Sequence, residues 1–177
     1  MKNKKFFTTR LLSFMLLTAF LFSCSAQRYS VNELNDLLTN ERITSPNAIF
    51  SVLRPHDWRG IYENKYNSAE IWLVKDDYSE TLSLNRISLT KTTDVSVLLD
   101  AAIKYREINY GSELRDLQRI TEIIDEEKIP GFKYANKKGK NVFTYLYTRN
   151  NFFVEATLTT SKSEVDPVVF AVLNSIK

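Results

Sequence analysis

The chain has 177 residues, with 24 basic and 21 acidic side chains, nine Tyr, eleven Phe and one cysteine, Cys24. Only four Gly and four Pro amid 44% hydrophobic residues exclude a low-complexity, disordered polymer, and a lone cysteine excludes an intrachain disulfide framework. The formal charge of +3 is concentrated at the start of the chain, so it does not indicate a nucleic-acid partner.

Lys2, Lys4, Lys5 and Arg10 precede an apolar run from Leu11 to Phe22 that closes on Leu21-Phe22-Ser23-Cys24. A basic end, a short apolar core and a small residue before a cut point form an export signal. The core is ~12 residues long, short of the ~20 needed to span a bilayer. Leu21 and Ser23 before Cys24 resemble the lipobox of bacterial lipoproteins; Phe22 departs from its commonest pattern. The expectation is a cleaved signal over residues 1–23, with Cys24 as lipid attachment site, carrying a diacylglycerol on sulfur and an acyl chain such as palmitate on its amine. Residues 24–30 are then a lipidated tether and 31–177 a single domain. The alternative is ordinary secretion, with a cut after Ser25-Ala26 that leaves Gln27 first. No Asp follows Cys24, which points to an outer membrane and a periplasm-facing position. Loss of residues 1–23 removes four basic residues and no acidic one, leaving 20 against 21.

In chain order, Ser30-Val31-Asn32-Glu33 has capping-box spacing, and Leu34, Leu37 and Leu38 predict a helix over 31–39. Residues 40–47 read as a polar loop. A strand over 48–53 puts Phe50 and Val52 on one face, and a second follows Trp58 over 59–62. Residues 64–67 form a turn. Ile71, Trp72, Leu73 and Val74 predict a strand that is apolar on both faces. Asp76-Asp77 turns into a strand over 80–90, whose apolar phase slips between Leu84 and Ile87 and so predicts a bulge near Asn85-Arg86. Asp94 is placed to cap a helix with Val97, Leu98, Ala101, Ala102, Tyr105 and Ile108 as its stripe. Gly111 is placed to end it in a left-handed conformation, and residues 112–118 read either as a further helical turn or as a loop. Strands then follow over 120–127, 132–135 and 142–148, with turns at Pro130-Gly131, at residues 136–139 and at residues 149–151. In the last strand Phe152, Val154, Ala156 and Leu158 face one way. Asp166-Pro167 opens a final helix with Val165 and Phe170 as a staple and Val168, Val169, Val172, Leu173 and Ile176 as its stripe. The fold class is α+β: a mostly antiparallel sheet with flanking helices, in an α-β-α sandwich.

Four local features resemble the PsbP-like family, which includes the photosystem extrinsic protein PsbP, the Ran-binding Mog proteins and DcrB-type bacterial lipoproteins. They are Pro55-His56-Asp57-Trp58 after an early strand, a helix from Asp94, a strand hairpin with Gly131 at its turn, and a C-terminal helix ending Asn174-Ser175-Ile176. The resemblance covers residues 46–177 and implies the fold. Asp57 stands where the family pattern often has Gly, and Ile176 where it often has an aromatic. The metal-retention and Ran-contact residues of its members have no matching motif, so none is transferred.

His56, the single histidine, adjoins Asp57, the pairing an oriented base would need. No Gly-x-Ser-x-Gly or Ser-x-x-Lys supplies a nucleophile, so a loop pair beside a buried Trp58 is the expectation. Asp76-Asp77 and Asp125-Glu126-Glu127 lack EF-hand spacing and read as solvated turn charges. No metal site, phosphate loop or cofactor is expected. Lys133, Lys137, Lys138 and Lys140 lie beside Tyr134, Phe143, Tyr145 and Tyr147. They read first as edge protection and otherwise as contacts for a partner, an anionic head group or a glycan, with Tyr145, Tyr147 and Phe153 as an aromatic patch. The expected function is a non-catalytic binding or scaffold module, lipid-anchored in the cell envelope. Its expected partners are the bilayer, through acylated Cys24, and an envelope protein or component, with no nucleic acid. The alternative is an envelope hydrolase or small-ligand-binding protein whose pocket is assembled from distant residues.

Overall fold

The computed structural model describes residues 28–61, 69–88, 94–149 and 152–177. The segment expected to be an export signal, Cys24, the expected turn at 64–67, Leu89 and Asn150-Asn151 lie outside the described residues. In chain order the elements are β1 (Arg28–Tyr29), α1 (Val31–Asn35), β2 (Leu38–Thr44), β3 (Ser51–Pro55), β4 (Trp58–Gly60), β5 (Ile71–Lys75) and β6 (Thr81–Ile87). They continue with α2 (Val95–Tyr110), a 3-10 turn (Gly111–Glu113), β7 (Arg115–Ile124), β8 (Glu127–Ala135), β9 (Asn141–Arg149), β10 (Phe152–Thr160) and α3 (Val168–Asn174). Among the described residues, eight strands form one sheet in the order β1-β7-β8-β9-β10-β6-β5-β4, and β2 pairs with β3. All these pairings are antiparallel except β1 with β7. The fold is thus mostly sheet with a few helices.

Side-chain alternation gives the sheet two apolar faces. On one, Leu82, Leu84, Phe143, Tyr145, Tyr147, Val154, Ala156 and Leu158 meet α1, α3 and the β2–β3 pair in the larger core. On the other, Phe132 and Leu146, with Ile87, Leu117 and Tyr134, receive Leu98, Leu99, Ala102 and Ile103 of α2. Helix α3 is buried from Val168 to Leu173, as expected of a helix that is apolar all round. Pro167 has helical φ and ψ, and Asp166 Oδ1 accepts the Val168 amide at 3.1 Å. The Asn174-Ser175-Ile176 end has a packing role. Ser175 Oγ accepts the Leu53 amide at 2.9 Å and donates to Val172 O at 2.8 Å, Ile176 is buried, and Lys177 and Ser51 exchange backbone hydrogen bonds.

Several sequence expectations are corrected. Arg28 and Tyr29 are not tether: they pair with Ile123 and Ile124, and the Tyr29 ring lies 5.0 Å from that of Phe170. The capping box forms, but α1 ends at Asn35. The supposed loop 40–47 is mostly β2, where buried Leu38 and Ile43 flank exposed Asn40 and Glu41. The bulge at Asn85-Arg86 is absent, since β6 and β10 pair without interruption from Thr81 to Ile87. The slip in phase marks Ile87 turning to the α2 face. Pro130-Gly131 is not a turn. Strand β8 runs through it, and the turn lies at Asp125 and Glu126, both left-handed at φ 41° and 73°. Gly131 is required for close approach, because a Cβ there would lie 2.7 Å from Tyr145 Cδ1 and clash with the Thr144 carbonyl. Gly111 caps α2 at φ −12°, not left-handed. The α2 stripe also shifts: Leu98 and Ala102 pack on the sheet, but Val97, Tyr105 and Ile108 are exposed.

Candidate functional site

Where α2 ends, its last turns overhang the β8–β9 turn and leave a cavity of about 350 Å³. Arg106, Tyr110, Glu113 and Leu114 come from the helical side, Tyr134, Asn136, Lys137, Lys138 and Val142 from β8, the turn and β9, and Thr157 and Thr159 from β10. The local sequence builds each wall. Asn136 Oδ1 accepts the amides of Lys138 at 2.9 Å and Lys140 at 3.1 Å, and Gly139 takes φ 72°, a side-chain-closed turn that only Gly completes without strain. Alternation in β10 points Thr157 and Thr159 away from the larger core that Ala156 and Leu158 enter.

Charge in the cavity is arranged in pairs. Arg106 Nη2 donates to Glu155 Oε1 at 2.9 Å, with both side chains 17% exposed, so the guanidinium is fixed rather than free to swing. Lys137 Nζ meets Glu113 Oε1 at 2.8 Å. Lys138 makes no ion pair among the described residues, which leaves one uncompensated cation at the mouth. Burial pushes the Tyr134 phenol up, against the opposing pull of Arg106, so its O–H stays neutral and able to donate. Thr157 Oγ1 lies 3.3 Å from Thr144 Oγ1.

Of the residues singled out from sequence, the fold brings together Lys137, Lys138 and Tyr134, and adds Arg106, Tyr110, Glu113, Thr157 and Thr159. Lys133 and Lys140 are not in the cavity lining. Tyr145 and Tyr147 cannot be surface contacts: both are buried, with Tyr145 edge-on to Phe170 at 5.0 Å, and Phe153 is partly buried, so these three residues form no flat aromatic patch. The missed residues fall in two groups, 106–113 and 157–159, far apart in sequence, and no local motif links the two.

The other candidates resolve into turns. His56 and Asp57 are exposed between β3 and β4. The His56 amide donates to Leu37 O at 3.0 Å, and the Asp57 carbonyl accepts from Asp76 at 2.8 Å. Asp57 has φ 60°, which explains why Gly suits this position and why Asp is tolerated. Asp77 Oδ1 accepts from the Ser79 amide and hydroxyl at 2.9 and 2.6 Å, bonds that hold its carboxyl below the usual range. Among the described residues no group of three or more His, Cys, Asp or Glu is placed to hold a metal ion, and no helix is long and apolar enough to cross a membrane. A second hollow of about 620 Å³ lies beside β1, near Arg28, Glu33, Asp125 and Lys128.

No protein-family model matches the chain, and no curated protein matches it. Among solved structures, it is similar to the cyanobacterial PsbP (CyanoP) of Synechocystis sp. PCC 6803, known from a solution structure. The TM-score is 0.50 at 16% identity, covering 77% of this chain and 91% of that one. This likeness extends to the fold, and the chain has a PsbP-like fold.

Proposed function

We propose that the chain is a lipid-anchored module of the cell envelope that binds a ligand or partner without transforming it. In this reading Cys24 is the acylated residue, the outer membrane's periplasmic face is the location, and the domain is an α-β-α sandwich of the PsbP-like type. The observation that carries the binding role is the cavity under the end of α2, with its ion-paired guanidinium, phenols and hydroxyls and no nucleophile–base pair among its lining residues. Its position suits a tethered protein. The chain enters the sheet at Arg28 beside Ile123, next to the β7–β8 turn, whereas the cavity lies at the other end of β8. Lys128 and Tyr134 are six residues apart, about 20 Å along a strand, so an anchor at one end leaves the other open.

The test is photo-cross-linking in living cells, with a photoreactive residue at Tyr110 in the full chain and a control at exposed Glu41 on β2. A defined adduct from position 110, absent from position 41 and diminished by Cys24→Ala, is the expected result. No adduct, or equal adducts from both positions, overturns the reading.

A further inference from the structure

We infer that the cavity under α2 accepts an anionic saccharide unit, a single pyranose ring bearing a carboxylate; this rests on the binding role proposed above. The volume of about 350 Å³ falls at the small end of ligand sites, large enough for one sugar ring with water. The walls match such a ring. Thr157 and Thr159 offer hydroxyls that donate and accept, Tyr134 offers a neutral O–H, and Tyr110, 43% exposed, supplies an aromatic ring of the kind on which the C–H face of a sugar packs.

The charge selects one negative group. Arg106 gives its Nη2 to Glu155 and Lys137 pairs with Glu113, and Lys138 is the lining cation that makes no ion pair among the described residues. A dianionic phosphate would have to compete with Glu155 and Glu113 for the paired cations, so the single unpaired ammonium favours a ligand with one negative charge. A fatty acid would need a long aliphatic channel, whereas only Leu114 and Val142 supply aliphatic wall. A mono-anionic polyhydroxyl ring suits the hydroxyls, the phenols and the one unpaired ammonium of this lining.

The full chain, held in a sugar-free zwitterionic detergent, is tested by ligand-observed saturation-transfer NMR with glucuronate, glucose and inorganic phosphate as separate probes. The expected result is transfer to glucuronate, about tenfold weaker affinity for glucose, where the charge-assisted contact is missing, and none for phosphate beyond buffer level. Lys138→Glu abolishes the glucuronate signal, while Lys128→Glu, at the far end of β8, leaves it intact. Both substitutions fall on exposed turn or strand-end positions, and an unchanged thermal transition verifies that the variants fold. Equal transfer to glucose overturns the anionic selectivity, preference for phosphate overturns the saccharide, and a glucuronate signal untouched by Lys138→Glu overturns the site. No transfer to any probe, with the position-110 adduct still formed in cells, overturns the ligand class while leaving the binding module standing.

Discussion

Glu80 and Lys162 form a buried-to-exposed pair that joins two distant parts of the chain. The Glu80 side chain is wholly buried and meets Lys162 Nζ at 2.7 Å, while the Lys75 ammonium reaches it at 3.2 Å. Lys162 also bonds Asp166 Oδ2 at 3.0 Å. Because Asp166 caps α3, this clasp ties the β5–β6 turn to the start of the C-terminal helix. Lys162→Met leaves Glu80 with Lys75 alone. Lys162 is half exposed, so solvent screens the pair, and a loss of about 1–2 kcal/mol is expected. A urea midpoint that does not move would show the clasp to be ornamental.

The same pair sets an alkaline limit. Bonds to Glu80 and then Asp166 raise the Lys162 ammonium above its ordinary range. Its contribution is complete below the unfolded lysine value of about 10.4 and is lost as pH rises through the higher folded value. Burial also raises Tyr29, to about 12, and Tyr145, which adds to the same limb. Hydrogen bonds lower Glu33, Asp77 and Asp94; their contributions hold above the ordinary carboxylate range and fade as pH falls through the depressed values. The melting temperature should therefore be flat near neutrality and fall at both extremes, and Lys162→Met should shallow the alkaline side alone. An alkaline limb identical in the variant would contradict this assignment.

Gly131→Ala should be among the more damaging single methyl additions to the sheet. The new Cβ meets backbone at Thr144 and the buried Tyr145 ring, and neither can retreat from a packed core. Overpacking of this kind costs about 1–3 kcal/mol. Gly139→Ala has open space but a left-handed φ of 72°, so its smaller cost is backbone strain. Paired chemical denaturation of the two variants should rank Gly131 first.

The β7–β8 turn offers a stabilising change. Asp125 and Glu126 both hold positive φ, the geometry of a two-residue turn that favours Asn-Gly. The double substitution Asp125→Asn with Glu126→Gly should raise stability by about 0.5–1 kcal/mol, although Asp125 Oδ1 accepts the Val31 amide at 3.4 Å. A lower melting temperature would mean that this long contact outweighs the relieved backbone.

Where sequence signals were local, they were legible. Alternation defined β10, the Asp-Pro start defined α3, and Ser30 with Glu33 formed the expected capping box. The misread places have long-range causes. Pro130-Gly131 has the composition of a turn, but β9 pairs with β8 only from Gly131 onward, so a missing amide at Pro130 is tolerated. Helix α2 carries apolar residues on two sides, and periodicity alone gave no reason to choose Leu99 and Ile103 over Val97 and Ile108. In β2 the exposed Asn40 and Glu41 hid a strand held by Leu38 and Ile43. Of the cavity, the turn lysines were visible in sequence. Arg106, Tyr110 and Thr157 were not, because strand pairing and helix docking bring them together across many intervening residues.

The two-residue strand β1 gives the proposed anchor a variable stand-off. For an attachment at Cys24, the four residues 24–27 can span at most about 14 Å before the chain is caught at Arg28, whereas freeing Arg28 and Tyr29, up to the capping box at Ser30, lengthens the spacer to about 21 Å. What holds the shorter setting is small: pairing with Ile123 and Ile124, one 3.3 Å bond from the Asp125 amide to Tyr29 O, and the Tyr29 ring against Phe170. Two paired residues are a shorter clip than the long antiparallel strands behind them, so its release under tension extends the domain's reach by about half while the rest of the sheet stays paired.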